Sequence, residues 1–255
     1  MKLLLLLGSG IVLALGIAGS SAFAAKPGAG TCSGGTTATP QVVPAGTYDG
    51  FTVSGNCRFG PGTITINGDL TIADGGILND HASGAATVHV TGNVKVGKDS
   101  VLGLGNYNPV PPHTSAVVDG NVVANDPATL YLGGMTINGN LISNGGSGPG
   151  RNFPIKDNTI GGNLVLQGWS GLWIGAIRNH VGGNVNFSKN TALDTSVVPG
   201  LDSSEVQTNV IAGNLICHNN TPTAQVNLLD GGQPNSVGGN AVGECPPRIS
   251  NNETD

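Results

Sequence analysis

Charged side chains are scarce in this chain. Only 10% of its 255 residues are Asp, Glu, Lys or Arg, and the formal net charge is −5. A protein that binds DNA or RNA presents a cluster of Lys and Arg to the phosphates, and this chain has only ten such residues in all. The composition therefore predicts no nucleic-acid partner.

Long apolar runs are absent after the first two dozen residues. At the N-terminus, Lys2 precedes the apolar run from Leu3 to Ala18, and Ala22-Phe23-Ala24 has the pattern of a cleavage site. These features predict a signal peptide over residues 1–24. No later stretch approaches the length of a membrane span. We therefore expect a secreted protein, extracellular or at the cell surface, with no membrane insertion after cleavage.

Glycine is in excess, at 43 residues, and eight glycines mark one recurring phrase. It reads apolar-x-Gly-Asn-apolar, with Asp69 in place of the Asn in the first copy. The glycines are Gly68, Gly92, Gly120, Gly139, Gly162, Gly183, Gly213 and Gly239. Their successive spacings are 24, 28, 19, 23, 21, 30 and 26 residues. A repeat of this length that reads as strand and turn is typical of a solenoid.

The residues two before and two after each glycine are aliphatic in all eight repeats. Around Gly92 they are Val90 and Val94, which a period of two places on one face of an extended chain. We predict that they form apolar columns inside an all-β, single-stranded parallel β-helix of about eight coils. The Gly-Asn pair is expected at a bend, with Gly or Asn in the left-handed conformation.

The position four residues before the glycine changes from apolar to Asn in the last four repeats of this series. There it reads Asn158, Asn179, Asn209 and Asn235. Because these residues share the register of the aliphatic columns, we predict a ladder of side-chain amides hydrogen-bonded from coil to coil.

Four segments follow from this pattern: a signal peptide (1–24), an N-terminal cap (25–60), the coils (61–216), and a C-terminal cap and tail (217–255). A partial unit around Gly55 lies only 13 residues before Gly68, and we interpret it as a terminal half-turn. Caps are expected because the open end of a solenoid would expose strand edges.

The chain has four cysteines, Cys32, Cys57, Cys217 and Cys245. An even number in an exported protein indicates disulfides. In a rod of stacked coils Cys57 and Cys217 would lie about 30 Å apart at ~4.8 Å per coil, whereas a disulfide needs Cα atoms within roughly 7 Å. We therefore predict Cys32–Cys57 and Cys217–Cys245, one disulfide in each cap.

The sequence shows no recognisable catalytic or metal-binding motif. There is no Asp-Asp pair and no Gly-His-Gly, such as a polygalacturonase-like site would need, and no Cys-x-x-Cys. Stacked coils could bring Asp74, Asp80 and Asp99 close to His81, although a solvated rim is the simpler interpretation. We predict no metal site and no cofactor, and no catalytic residues can be assigned.

Three aromatic residues are the candidates for ligand binding. Trp169 and Trp173 lie four apart in one predicted strand, which places both rings on the same face, and two exposed rings suit stacking against sugars. Packing at a corner is the alternative for this pair. Tyr107 lies in a Pro-rich insertion, and insertions on a rigid scaffold often carry function.

The coil phrase as a whole resembles the repeats of small exported right-handed parallel β-helix proteins of bacteria. The C-terminal run Gly213-Asn214-Leu215-Ile216-Cys217-His218-Asn219-Asn220-Thr221-Pro222, followed by Gly239 to Cys245, is similar to the closing segment of secreted actinobacterial proteins. The resemblance covers roughly residues 50 to 245. It implies a right-handed winding and a C-terminal Cys pair, and it implies no activity, because no catalytic residues are assigned in that group.

These observations favour a non-catalytic, exported β-helix with a structural or adhesive role at or outside the cell surface. Its candidate partners are a cell-wall or extracellular polysaccharide, a surface protein, or further copies of itself. The alternative is a carbohydrate-binding or polysaccharide-cleaving β-helix, which rests on fold analogy and the Trp pair. An ice-binding solenoid has only Thr63-Ile64-Thr65 in its favour, since no regular Thr column is expected to repeat across the coils.

Overall fold

The computed structural model describes residues 28–81, 85–106, 114–193, 203–226 and 233–245. Within these ranges the chain forms 28 short strands and no helix, and each pair of neighbouring strands is parallel. The predicted signal peptide lies outside the described residues. No helix long and apolar enough to cross a membrane occurs in this part of the chain.

The strands form three parallel sheets, which the chain visits in turn. Sheet A contains β1 (Gly30–Cys32), β4 (Phe51–Val53), β7 (Leu70–Ile72), β10 (Val94–Val96), β13 (Val122–Asn125), β16 (Leu141–Asn144), β19 (Leu164–Gln167), β22 (Val185–Ser188), β26 (Leu215–His218) and β28 (Ala241–Gly243). Sheet B contains β2 (Gln41–Val43), β5 (Asn56–Phe59), β8 (Ile77–Asn79), β11 (Val101–Gly105), β14 (Thr129–Gly133), β17 (Ser147–Lys156), β20 (Ser170–Ile177), β23 (Thr191–Ala192) and β24 (Ser204–Gln207). Sheet C contains β3 (Gly46–Tyr48), β6 (Gly62–Ile66), β9 (Ala86–Val90), β12 (Ser115–Val118), β15 (Thr136–Ile137), β18 (Thr159–Ile160), β21 (His180–Val181), β25 (Val210–Ile211) and β27 (Ser236–Val237). One strand from each sheet makes a coil, and the stacked coils form a parallel β-helix, as the repeat predicts.

The predicted aliphatic columns line the interior between sheets C and A. Ile66 pairs with Val90, and Leu70 pairs with Val94, so each column continues from one coil to the next. Their members are fully buried in the first seven repeats. Only the last two members, Val237 and Ala241, are partly exposed, and they still pack against the core. This part of the sequence prediction is confirmed.

The corner from sheet C to sheet A has the same length in each of the eight repeats. Three residues separate the strands there, and the repeat glycine is the middle one. From Gly92 onwards, each glycine N–H donates to the carbonyl of the repeat glycine in the coil before it, at 2.9–3.0 Å. A Cβ at Gly139 would lie 2.6 Å from the Gly120 carbonyl oxygen. Glycine is therefore needed here for close approach of the backbones.

The predicted left-handed conformation at the Gly-Asn corner is wrong. Only Gly68 among the eight glycines has a positive φ, of 119°. The left-handed residues lie at the other two corners instead, for example Asp126 and Lys189 between sheets A and B, and Asp157 and Arg178 between sheets B and C. At Asp157, Arg178 and Lys189 only two residues separate the strands, one fewer than at the Gly-Asn corner.

The predicted half-turn near the N-terminus is also wrong. Phe51 pairs with Gly30 on one side and Leu70 on the other, so a full coil lies between each pair. The misinterpretation came from Gly55, which lies between sheets A and B and is not equivalent to Gly68. Residues 25–60 contribute β1 to β5 to all three sheets.

Two disulfides join Cys32 to Cys57 and Cys217 to Cys245, as predicted. Their Cα atoms are 6.4 Å and 5.3 Å apart, and all four cysteines are buried. The first bridge lies in the first coils of the described chain, and the second lies in the last.

Candidate functional site

The asparagines of the repeat phrase form a ladder along one edge of sheet A. The backbone N–H and the side-chain Nδ2 of Asn121 both donate to Oδ1 of Asn93, at 2.9 Å and 3.2 Å. The backbone N–H bond recurs at every later repeat, and the Nδ2 bond at all but Asn240. We call this set ladder 1: Asp69, Asn93, Asn121, Asn140, Asn163, Asn184, Asn214 and Asn240. The signal for it, an Asn in seven of eight repeats, was in the sequence but was interpreted only as a turn.

Ladder 1 ends on a carboxylate. Oδ1 of Asp69 accepts from the backbone N–H and Nδ2 of Asn93, at 2.8 Å and 3.3 Å. Its other oxygen lies 2.6 Å from Lys95 Nζ. The hydrogen bond from Lys95 is the largest cause that lowers the pKa of Asp69 below its ordinary value, followed by that from the Asn93 backbone. An end position needs only an acceptor, which explains the one Asp among the asparagines.

The ladder predicted at the corner between sheets B and C is confirmed. Asn158 donates through its backbone N–H and Nδ2 to Oδ1 of Asn179, both at 3.0 Å. Asn179 donates in the same way to Asn209, and Asn209 to Asn235. These four residues are ladder 2, and each Nδ2 also donates to a carbonyl of the preceding coil. Asn158 and Asn179 have no exposed surface.

A third ladder, which sequence reasoning missed, lies at the corner between sheets A and B. Asn190 donates to Oδ1 of Asn220, and Asn220 donates to the carboxylate of Glu244, at 3.0–3.3 Å. These three residues are ladder 3. It also ends on a carboxylate, but at the opposite end of the molecule from Asp69.

The outer side of sheet A, which we call face A, carries two files of side chains. The central file consists of Thr31, Thr52, Thr71, Lys95, Val123, Ile142, Val165, Asn186, Ile216 and Val242. Eight of these ten are β-branched. The second file consists of Asn125, Asn144, Gln167, Ser188 and His218. From β13 to β19, the aliphatic part of the central file runs between ladder 1 and the amides of the second file, which we call the amide row.

Near its N-terminal part, face A has a shallow depression of about 430 Å³. Thr71, Lys95 and Val123 form its floor, while Asn93 and Asp74 line opposite edges. Gly97 stands in the row where later coils carry an amide, and Asp74 Oδ1 lies against it, 2.4 Å from where a Cβ would be. Polar and apolar groups therefore meet in one concave surface.

Trp169 is in the core, which corrects its assignment as a surface ligand-binding residue. It is 1% exposed, its ring lies 5.0 Å from that of Phe153, and Nε1 donates to the Ala128 carbonyl at 3.2 Å. It precedes β20, at the corner position that Asn190 occupies in the next coil. The same-face prediction failed because the two Trp residues do not belong to one strand. A Cβ at Gly171 would lie 2.0 Å from the buried indole.

Trp173 is half-buried on the outer side of sheet B. Its ring covers Gly175, whose added Cβ would lie 2.2 Å from the indole. Lys156 Nζ lies 4.6 Å from the ring centroid, a cation–π geometry. Trp173 therefore remains a single half-exposed ring rather than half of an aromatic pair. Tyr107, the third candidate, lies outside the described residues.

The acidic residues considered for catalysis are separated. Asp80 is fully buried, and its Oδ2 accepts from Thr114 Oγ1 at 2.8 Å. The neighbouring His81 stacks on the Tyr131 ring at 4.7 Å, and burial lowers its pKa. Asp74 and Asp99 lie at the corner between sheets A and B, at the other end of the sheet-B strands. The structure thus pairs Asp80 with a hydroxyl and not with a second carboxylate.

No group of three or more His, Cys, Asp or Glu side chains that could hold a metal ion occurs among the described residues. Exposed ion pairs within the described ranges include Asp157–Arg178 and Asp69–Lys95, and His89 Nε2 lies 2.8 Å from Asp119 Oδ2. No protein-family model, curated protein or solved structure matches the chain.

Proposed function

We propose that this chain is an exported, non-catalytic β-helix with a structural or adhesive role at or outside the cell surface. The observation that carries the proposal is the pair of disulfides in its first and last coils. Disulfides form and persist in oxidising surroundings, and they are rare in the cytosol. Residues 1–24, with the pattern of a signal peptide, supply the route of export.

The corner ladders support the structural part of the role. Each coil is held to its neighbours by strand pairing and also by amide hydrogen bonds at its corners. Buried amides whose donors and acceptors are satisfied favour one register over its alternatives. Such a rod presents a fixed outer surface, which suits mechanical support or repeated contact with a partner.

The finer features of the proposed fold are a right-handed winding and about eight coils that carry the Gly-Asn corner. Crossovers between parallel strands of one sheet are right-handed in roughly 98% of cases, and the strands of sheet A are joined by such crossovers. Right-handed winding is also what the resemblance to exported bacterial β-helix proteins implies.

Export can be tested by expressing the full-length chain with a C-terminal epitope tag in a bacterial host. We expect the tagged protein in the medium or on the cell surface, with its N-terminus cut after Ala24 and no free thiols. A variant lacking residues 2–24 is the control and should stay inside the cell. An uncut wild-type protein with four reduced cysteines in the cytosol would contradict the proposal.

A further inference from the structure

Face A is the one long surface whose borders stay short from coil to coil. From β4 to β22, two to four residues connect each strand of sheet A to the next strand of sheet B. The connections from sheet C are three residues long in the eight repeats. Between β4 and β25, the longer connections at 80–85, 106–114 and 193–203 join strands within sheet B, or strands of sheet B to strands of sheet C. Longer connections from sheet A occur only after its first strand, at 33–40, and after β26. The strands of face A from β4 to β22 are therefore bordered by short connections.

The part of face A from β13 to β26 presents uncharged chemistry. Val123, Ile142, Val165 and Ile216 continue the aliphatic file, with Asn186 between the last two. Between β13 and β26, none of the side chains in the central file, in the second file or in ladder 1 is Asp, Glu, Lys or Arg. The aliphatic side chains are half-exposed, so they offer contact area without forming a sealed core.

The flanking amides retain hydrogen-bonding capacity. The side chains of Asn125, Asn144 and Gln167 have no hydrogen-bond partner among the described residues, and the two asparagines are exposed. On the other side, each ladder Nδ2 carries two hydrogens and uses one within the ladder. A ligand above the aliphatic file would therefore meet free amide groups along both of its edges.

A pyranose chain matches this arrangement. Its sugar rings present C–H groups on their faces and hydroxyl groups at their rims, so the faces can cover the aliphatic file while the hydroxyls bond to the amides. Strands about 4.8 Å apart repeat the same contacts along the rod. Successive units of one polymer can then bind together, which raises the overall affinity without strong single contacts.

The lack of charged side chains on this part of face A favours a neutral polysaccharide over other polymers. Nucleic acid or an acidic polysaccharide would require Lys or Arg along the face. An anionic membrane surface would require basic and aromatic side chains, and most protein interfaces are enriched in Tyr, Trp, Phe, Met or Arg at their centre. Between β13 and β26 the two files contain no Lys, Arg, Tyr, Trp, Phe or Met, and His218 in the last strand is their one basic or aromatic side chain.

We propose that face A, from β13 to β26, binds an uncharged linear polysaccharide laid along the axis of the solenoid. This inference rests on the adhesive role proposed above and assigns a surface and a ligand class to it. The depression near Lys95 and Asp74 continues the same face and admits a bulkier end of the polymer.

The test is depletion of protein from solution by insoluble polymers. Protein made from the full-length chain and purified with both disulfides formed is mixed with cellulose, chitin and a β-1,3-glucan, and with an acidic pectate as the charged comparison. We expect depletion by at least one neutral polymer and none by pectate. The Ile142→Lys/Val165→Lys variant should bind about tenfold more weakly, because two ammonium groups in the file would have to be desolvated.

Matched substitutions on another face show whether the effect belongs to face A. Val117 and Val210 are 38% and 47% exposed on the outer side of sheet C, and Val117→Lys/Val210→Lys should bind within about twofold of wild type. Asn144→Ala/Gln167→Ala removes only amides and should weaken binding several-fold. Circular dichroism and thiol titration establish that each variant is folded.

Each contrary result has a distinct meaning. If Ile142→Lys/Val165→Lys and Val117→Lys/Val210→Lys weaken polymer binding equally, the assignment to face A is overturned. The same holds if Trp173→Ala weakens binding while the face-A variants bind normally. The adhesive role stands in both cases. The protein could instead form dimers or larger assemblies, or inhibit ice growth. If the Ile142→Lys/Val165→Lys variant abolishes either effect, face A binds a second copy of the protein or ice rather than a polysaccharide. If no neutral polymer binds, the inference fails, and binding to whole cells then decides whether the adhesive role survives.

Discussion

Thr114 Oγ1 donates a hydrogen bond to Asp80 Oδ2 at 2.8 Å, and neither residue has appreciable exposed surface. The other oxygen, Oδ1, is buried without a hydrogen-bond partner among the described residues. Burial raises the pKa of Asp80 to about 6, against opposing effects from Thr114, Arg58 and the Phe59 backbone. The carboxylate is thus held in a place that favours its protonated form.

We expect Asp80→Asn to stabilise the protein at neutral pH. A raised folded-state pKa means that wild-type stability is full below about pH 4 and falls as pH rises through 6. The amide cannot ionise, so the gain over wild type should appear between those values and reach about 2–3 kcal/mol above pH 7. Urea unfolding at pH 4, 5.5 and 7.5 measures it. A constant difference across the three pH values would show that Asp80 does not titrate in this range.

The amide ladders should differ in energetic importance according to their burial. Asn179 is fully buried, and its Oδ1 and Nδ2 connect to Asn158, Asn209 and the Ile155 carbonyl. Asn179→Ala leaves these groups unsatisfied and should cost about 2–4 kcal/mol. Asn184→Ala in ladder 1 removes similar bonds at an exposed position, where water replaces them, and should cost under about 1 kcal/mol. Equal losses of unfolding free energy would contradict the dependence on burial.

The repeat glycines should not tolerate even a methyl group. In Gly139→Ala the added Cβ would approach both the Gly120 carbonyl and Asn121 Oδ1 to 2.6 Å, so the corner must open and the ladder bond must lengthen. We expect a loss of about 2 kcal/mol or more in thermal or urea unfolding. Gly46→Ala is the control, because its Cβ would meet nothing closer than Tyr48 Oη at 3.8 Å. An unchanged melting temperature for Gly139→Ala would show that the corner backbone relaxes freely.

The two tryptophans should separate in both stability and fluorescence. Trp169→Ala removes a buried ring and its hydrogen bond to Ala128, and should cost about 3–5 kcal/mol. Trp173→Ala loses a half-exposed ring beside Lys156 and should cost about 1 kcal/mol or less. In single-Trp variants, Trp169 should emit at shorter wavelength and resist quenching by iodide. Stronger quenching of Trp169 than of Trp173 would contradict its burial.

The sequence was sufficient to predict the fold because its apolar pattern and its strand pairing have the same cause. An aliphatic pair around each repeat glycine can be buried only if coils stack in register, so the columns, ladder 2 and both disulfides followed. The corners were harder to predict. Glycine is used both where φ is positive and where two backbones approach closely. The sequence alone does not show that Gly139 is required for close approach rather than for a left-handed turn.

The surface could be predicted less well than the core. Whether Trp169 points inward depends on the space left by Gly171 and by the corner above it, which is a tertiary property. Face A could not be predicted because its file lies three residues beyond each repeat glycine, where the residue type changes along the chain from Thr71 and Lys95 to Val123. The prediction that no Thr column repeats across coils overlooked the stack of Thr31, Thr52 and Thr71. The two asparagines of ladder 3 both lie seven residues after a repeat glycine, but only two coils carry Asn there, and Trp169 occupies that position in the coil before.

Asp69 and Glu244 terminate ladder 1 and ladder 3. An asparagine both accepts from one neighbour and donates to the other, whereas an ionised carboxylate can only accept, so a ladder that reaches one has no means of continuing. The two residues stand at opposite ends because ladders 1 and 3 donate in opposite directions along the rod. A coil duplicated between Asn190 and Asn235 would extend all three ladders, because they run side by side in that part of the chain. Growth of such a molecule by duplication is therefore expected in its C-terminal half.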